Sequence, residues 1–294
     1  MDKRWANSFG TKVLVLGASG MLGNALLRFF AGSNGYSVAG TVRSEAVLRY
    51  LPHDLCRHVV TGVDVEDSAG LENVFTAVRP DVVVNCVGVV KQLADSEDPL
   101  VAIPINSLLP HRLARLCQSA GARLIQISTD CVFRGAKGMY REEDSADAQD
   151  LYGRSKLLGE VDQPHALTLR TSLIGRELAS AHSLVGWFLA QEGSVKGYER
   201  AIFSGMPTVE LARVMRDFII PHPDLHGVYH IAAGPISKYE LLKLVASVYE
   251  KQIRIIPDRD FVIDRSLSGE RFQAATGYVA PDWPDLIRRM HDFR

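Results

Sequence analysis

Residues Lys12–Gly23 read KVLVLGASGMLG. Lys12-Val13-Leu14-Val15-Leu16 is an apolar, β-branched run of strand length, and a run without polar alternation suits a strand buried in a parallel sheet. Gly17-Ala18-Ser19-Gly20-Met21-Leu22-Gly23 then turns the chain, and Asn24–Phe30 (NALLRFF) continues as an apolar helix. Strand, glycine turn and helix in that order are the physical recipe for a dinucleotide pyrophosphate site. The glycines permit a tight turn and close backbone approach, and the helix N-terminus offers N–H groups at the positive end of its dipole. The spacing is G-x-x-G-x-x-G, not G-x-G-x-x-G, so the glycines alone would also fit a plain strand–helix turn. The flanking elements point to nucleotide binding.

Outward from this stretch, strand and helix keep alternating. Tyr36–Val42 (YSVAGTV) is a second strand, followed by Arg43, Ser44 and a helix through Leu51. At the end of this strand an acidic residue would favour NAD, and an arginine the 2′-phosphate of NADP. The chain has Arg43 and no carboxylate before Glu45, which argues for NADPH, with NADH as the alternative if Arg43 is only a solvent-facing helix start. Val59–Val63 gives a third strand ending at Asp64, then a helix over Ser68–Val78. Val82–Gly88 reads as a fourth strand, continuous and of the fully buried type, and Asn106–Ala120 spaces Leu108, Leu109, Leu113, Leu116 and Cys117 as a helix. Arg123–Ser128 is the fifth strand. Five alternations predict an α/β fold, a doubly wound parallel sheet of Rossmann type with helices on both faces. The polar, acidic stretch Gly135–Asp150 reads as a surface loop over the strand ends.

From Ile174 the alternation weakens, and Pro221, Pro223 and Pro235 punctuate the chain. Ser237–Lys251 is a convincing helix, with Ser237 and Glu240 spaced as a capping box. We expect residues 1–173 to form the nucleotide-binding domain. Residues 174–294 should form mainly a smaller, mixed α/β substrate lobe, with some segments returning to the sheet and the substrate crevice between the two.

Composition excludes several classes of function. Of 294 residues, 47% are hydrophobic and 23% charged, and the formal net charge is -1, which gives no electrostatic case for nucleic acid or an anionic membrane. No apolar run approaches the roughly 20 residues needed to span a bilayer, and MDKRWANSFGTK lacks the apolar core of a signal peptide. Cys56, Cys86, Cys117 and Cys131 show no C-x-x-C spacing, so we expect no zinc site, no disulfide framework and a cytoplasmic location. The histidines show no metal-ligand spacing, and no metal is expected.

The chemistry-bearing residues follow the fifth strand. Thr129 stands at its end, and Tyr152 and Lys156 are four apart, on one face of a helix. An ammonium beside a phenol is expected to lower the phenol pKa towards the working range, so that Tyr152 passes a proton while Thr129 hydrogen-bonds the same carbonyl oxygen. A Tyr-x-x-x-Lys pair alone is usually just a half-exposed pair; its combination with the glycine turn carries the reading.

Gly17–Gly23, Asn85-Cys86-Val87-Gly88, Ser128-Thr129-Asp130-Cys131-Val132-Phe133 and Tyr152-Gly153-Arg154-Ser155-Lys156 together resemble the extended short-chain dehydrogenase/reductase superfamily. Within it the chain is most similar to the dTDP-4-dehydrorhamnose reductase group of nucleotide-sugar enzymes, nearly end to end and through Gly205–Ala212 (GMPTVELA). The resemblance implies NADPH lying across Gly17, Ser19, Gly20, Met21 and Leu22, with Asp64 and Val65 near the adenine and Val87 beside the cofactor. It implies that Tyr152 donates the proton, that Lys156 binds the nicotinamide ribose, and that Thr129 orients the carbonyl of a nucleotide-diphosphate 4-keto-6-deoxy sugar. It further implies a role in making sugars for surface polysaccharide, and a homodimer. Arg265 resembles the arginine that relatives place near the substrate phosphates; a surface salt bridge with Asp264 or Asp260 is the competing reading.

Two departures bear on the reaction. Rhamnose reductases typically have tyrosine where this chain has Cys131, and nucleotide-sugar 4,6-dehydratases have glutamate, so dehydration is not expected. A cysteine there resembles the bifunctional GDP-fucose synthases, in which it works with a histidine to epimerise carbons beside the ketone, and His182 stands in a comparable context. Alternatively Cys131 packs as a small apolar residue and His182 contacts the pyrophosphate or a carbonyl. Some members of the group are non-catalytic subunits, but Thr129, Tyr152 and Lys156 are all present here.

Overall fold

β1 (Thr11–Leu16) is an interior strand of a seven-stranded sheet, in a computed structural model that describes residues 10–90, 97–179, 181 and 183–293. The other strands are β2 (Tyr36–Thr41), β3 (Val59–Val60), β4 (Val82–Asn85), β5 (Arg123–Thr129), β6 (Ala166–Thr171) and β7 (Gly227–His230). Their order is β7-β6-β5-β4-β1-β2-β3, and every pairing is parallel. The chain winds outward to β3, returns to β4 and winds the other way. The order therefore reverses between β1 and β4, and a crevice opens at their carboxyl ends.

Both faces are covered, as the apolar strands require. Val13 and Val15 of β1 point into a core shared with α1 (Met21–Ala31), and Leu14 and Leu16 into one shared with α2 (Ser68–Val78) and α3 (Leu109–Ala120). On the far side of the crevice stands α4 (Leu151–Leu158), capped by Asp150, whose Oδ1 accepts from Gly153 N at 2.8 Å. In the second half, α5 (Thr208–Val214) packs on α1, while α6 (Lys238–Val248) and α7 (Trp283–Asp292) build a third core around Phe188, Leu241, Leu242 and Leu286. Short strands complete this half: Ser194–Tyr198 pairs with Arg254–Asp258, and Ala201–Phe203 lies between Ile236–Ser237 and Ile263–Asp264. No helix among the described residues is long and apolar enough to cross a membrane.

Several boundaries differ from those expected. The fourth strand stops at Asn85, because the Asn85 side chain replaces the ladder: Oδ1 accepts from Val87 N at 3.1 Å and Nδ2 donates to Gln126 Oε1 at 2.8 Å. The helix expected to begin at Asn106 is preceded by a helical turn over Pro99–Ala102 and a π-type turn over Ile103–Leu108. Pro104 and Pro110 have no N–H to give, so regular i→i−4 bonding cannot run through this stretch. Ser237 caps α6 by accepting from Glu240 N at 3.1 Å, but the Glu240 carboxylate accepts from Lys243, which leaves only half of the expected capping box.

Candidate active site

The glycine turn is built as its spacing demands. Gly17 has a φ of +81°, and a Cβ on Gly23 would stand 2.1 Å from the Gly17 carbonyl oxygen. Only glycine lets α1 start so close under β1. No side chain caps α1 at Gly20, so its first-turn N–H groups face the crevice. Thr41 at the end of β2 secures the turn from the side, accepting from Ala18 N through its carbonyl at 2.9 Å.

Opposite the turn, α4 is tethered to the π-type turn. Asn106 is buried; its Oδ1 accepts from Val89 N at 3.0 Å, and its Nδ2 donates to Val89 O and Ser155 Oγ at 3.2 Å each. Ser107 Oγ donates to Ser155 O at 2.8 Å. These bonds hold the face of α4 that carries Tyr152 and Lys156 against the ends of β4 and β5. Lys156 is 7% exposed and donates from Nζ to Ile127 O at 2.6 Å. Burial pulls its pKa down to about 8 from 10.5, opposed by Glu160 and then Cys86.

Gly20, Met21, Leu22, Val87, Thr129, Cys131, Tyr152, Lys156 and Arg265 line one cleft of about 480 Å³, within the range of small-molecule sites. Gly17 and Ser19 shape the turn behind it. Arg43, just past the end of β2, and Asp64, beyond β3, are exposed residues away from the cleft wall, with Val65 half-buried beside Asp64. Asp64 Oδ1 accepts from Glu66 N at 3.0 Å. His182 lies outside the described residues.

The expected lowering of the Tyr152 pKa is not what the structure shows. Burial raises it first; the nearby Cys131 raises it further, and the hydrogen bond with Thr129 only partly offsets the two. The Lys156 ammonium is engaged with a main-chain carbonyl instead. Tyr152 therefore stays a protonated phenol at neutral pH, a donor and not a base. Arg265 makes neither of the salt bridges considered for it. Its Nε donates to Phe133 O at 2.8 Å and its Nη1 to Cys131 Sγ at 3.6 Å, while Asp264 accepts from Ser266.

Two further charged residues line the cleft, and spacing did not reveal them. Asp130 is desolvated, which raises its pKa, against the pull of Arg265. Lys238 faces it from the start of α6; burial lowers its pKa, opposed by Asp130 and Cys131. A signal did exist for Lys238: a cation in the first turn of a helix opposes the macrodipole, which marks it as placed for something other than helix stability. Asn106 was hidden inside what read as an ordinary apolar helix.

Strand order, glycine turn and a helix-borne Tyr-x-x-x-Lys pair define the class by its fold and site: a Rossmann-type α/β protein with a cleft at the switch point of its sheet. The chain belongs to the RmlD substrate binding domain family, whose model matches residues 11–292. A dTDP-4-dehydrorhamnose reductase from Streptomyces griseus is 33% identical over 148 residues, 50% of this chain and 43% of that protein. Methionine adenosyltransferase 2 subunit beta from Danio rerio is 28% identical over 252 residues, 81% of this chain and 74% of that one. The chain spans about half the length of the curated reductases it matches. The crystal structure of a dTDP-4-dehydrorhamnose reductase from Bacillus anthracis in complex with NADP superposes with a TM-score of 0.77 at 21% identity, covering 96% of this chain and 98% of that one. That likeness is one of fold.

Proposed function

We propose that this protein uses NADPH to reduce the 4-keto group of a nucleotide-linked 4-keto-6-deoxy sugar, as a step towards surface polysaccharide. The observation that carries the reading is the meeting of the Thr129 hydroxyl, the Tyr152 phenol and the Lys156 ammonium in one cleft at the switch point of the sheet. The residues fit a nicotinamide dinucleotide. The first-turn N–H groups at Gly20–Leu22 would hold the pyrophosphate, Arg43 the 2′-phosphate, Asp64 and Val65 the adenine, and Lys156 the ribose next to the nicotinamide. Gly88 keeps the floor open, since a Cβ there would stand 3.3 Å from Asn106 Oδ1 and 3.7 Å from Lys156 Nζ. When bound, the dinucleotide supplies a hydride.

The chain supplies the rest. Thr129 and Tyr152 hydrogen-bond the ketone oxygen and orient its carbon. As negative charge develops on that oxygen, Tyr152 gives up its proton; an alkoxide is far more basic than even a phenolate of raised pKa, so the transfer runs downhill. Arg265 and Lys238 present two cations across the cleft, matched to a diphosphate. Residues 1–173 would bind mainly the dinucleotide and 174–294 mainly the sugar nucleotide, with Gly227–His230 returned to the sheet.

The test is a panel of nucleotide-linked 4-keto-6-deoxy sugars, with NADPH oxidation followed by absorbance and the product identified by NMR. Tyr152→Phe should cost about 10²–10⁴-fold in turnover, the usual share of a positioned proton donor, with NADPH still bound in a fluorescence titration. Full turnover by the variant would refute the assignment, and indifference of the wild type to every ketone would turn the reading towards a non-catalytic subunit.

A further inference from the structure

A second cavity, of about 240 Å³, lies beside the first turns of α1, and Met21 is the one lining residue that it shares with the cleft. Three elements supply its polar wall. Asn24 and Arg28 come from α1, Arg176 and Glu177 from the loop after the short strand Leu173–Ile174, and Thr208 from the start of α5. Arg28 stands in the last turn of α1, where a cation ordinarily serves the free carbonyls of the helix end. Here it reaches back one turn instead, and its Nε donates to Asn24 Oδ1 at 2.9 Å. That bond fixes the Asn24 amide, because a flipped amide would set two donors face to face. Asn24 is 7% exposed, and its Nδ2 is left buried with no acceptor among the described residues. A buried donor without an acceptor costs stability and asks for an explanation.

The rest of the wall is likewise rich in donors and poor in acceptors. Among the described residues, the Nη groups of Arg28 and the whole Arg176 guanidinium have no partner, and Thr208 Oγ1 makes no hydrogen bond. The one lining carboxylate, Glu177, is engaged by its own loop, with Oε2 accepting from Ser183 N at 2.6 Å. Two guanidiniums against one carboxylate leave a charge of +1 for an anion to meet. We propose that this cavity binds a small oxyanion of the phosphate type between Arg28 and Arg176, with Asn24 Nδ2 and Thr208 Oγ1 as further donors. Guanidinium forks match the oxygens of a phosphate in pairs, and donors arriving from three elements suit a tetrahedral group better than a planar carboxylate. The cavity is smaller than the roughly 300–1,000 Å³ of sites that enclose a drug-sized ligand, so it takes inorganic phosphate or a short phosphate monoester and not a nucleotide. It is separate from the subsites assigned above to the dinucleotide and the sugar nucleotide, and it does not rest on them.

The test follows the thermal midpoint of the full chain while phosphate replaces chloride at constant ionic strength. Wild type is compared with Arg28→Met/Arg176→Met, Asn24→Asp and Arg265→Met. Asn24→Asp keeps an acceptor for Arg28 Nε, so α1 retains that tie, while it removes the Nδ2 donor and sets a negative charge against the anion. Arg265→Met reports phosphate that binds in the cleft instead. Phosphate also raises every midpoint by its exclusion from protein surface, a rise without saturation that all four proteins share. Above that baseline, wild type and Arg265→Met should show a saturable rise of the kind that ligand linkage produces. In the two cavity variants half-saturation should need about tenfold more phosphate or none be reached. Glycerol 3-phosphate in a parallel series separates the two sources: tighter half-saturation than inorganic phosphate supports a monoester site, and weaker supports the free ion. The proposal is overturned if wild type shows no saturable rise, if the cavity variants keep it, or if Arg265→Met abolishes it.

Discussion

Mild acid should destabilise this protein through one residue, His230. Its ring is fully buried, with Nδ1 3.0 Å from Tyr140 O and Nε2 3.4 Å from Arg170 Nη1. A carbonyl demands a proton on Nδ1, and a guanidinium, which can only donate, demands a lone pair on Nε2. The neutral ring satisfies both. Burial first, and Arg170 second, hold its pKa down to about 4, from 6.5. In the unfolded chain the imidazole gains a proton as the pH falls through 6.5, and the folded protein resists until about 4. Stability from this source is therefore complete above 6.5 and is lost as the pH drops through that window. At about 1.4 kcal/mol per pH unit the loss is about 3 kcal/mol. Urea unfolding followed by tryptophan fluorescence, from about pH 7 to about pH 4, measures it in wild type and in His230→Gln. Carboxylates titrate in both proteins, so the difference between the two curves isolates the histidine. Wild type should lose about 3 kcal/mol more than the variant over this interval. Parallel curves would refute the assignment of a neutral buried ring.

Arg43→Ala should lower the preference for NADPH over NADH in kcat/KM by roughly tenfold or more, the worth of one charge-assisted phosphate contact; an unchanged ratio removes Arg43 from the cofactor site. The part of Cys131 is read by incubating the protein with a 4-keto-6-deoxy nucleotide sugar in deuterated water without NADPH. Ring protons beside the ketone should exchange no faster than in buffer if Cys131 serves only as a neighbour of Arg265, and enzyme-dependent exchange that Cys131→Ser abolishes would establish epimerisation.

The elements that could be read from the sequence are those whose physics is local. Val13–Leu16 announces a buried strand because both its faces are apolar, and Tyr152 and Lys156 announce a shared face because a helix places residues four apart together. β7 gave no such signal: Gly227–His230 is four residues long and becomes a strand by pairing with the edge of β6. The cluster of Asp130, Lys238 and Arg265 is also a tertiary product, since more than a hundred residues separate the first from the other two. Glu160 stands in the stretch after Tyr152, but its partners, Ser128 of β5 and Arg170 of β6, come from other strands. The expected effect of Lys156 on Tyr152 failed because helical spacing sets proximity and not the alternative partner, here the Ile127 carbonyl.

β7 also limits how this protein can be taken apart. The chain leaves the sheet after β6, builds most of its second half, and then comes back to lay one strand on the edge it left. That strand ends in His230, which meets Arg170 of β6 inside the sheet. A fragment cut at residue 173 would expose the hydrogen-bonding edge of β6 and strip Arg170 of that neighbour. A chimaera that imports a new second half must therefore import, or leave behind, residues 227–230 as part of the sheet. Evolution can vary the walls of the cleft freely only on either side of that strand, so in this architecture specificity is replaceable in segments and never as a detachable module.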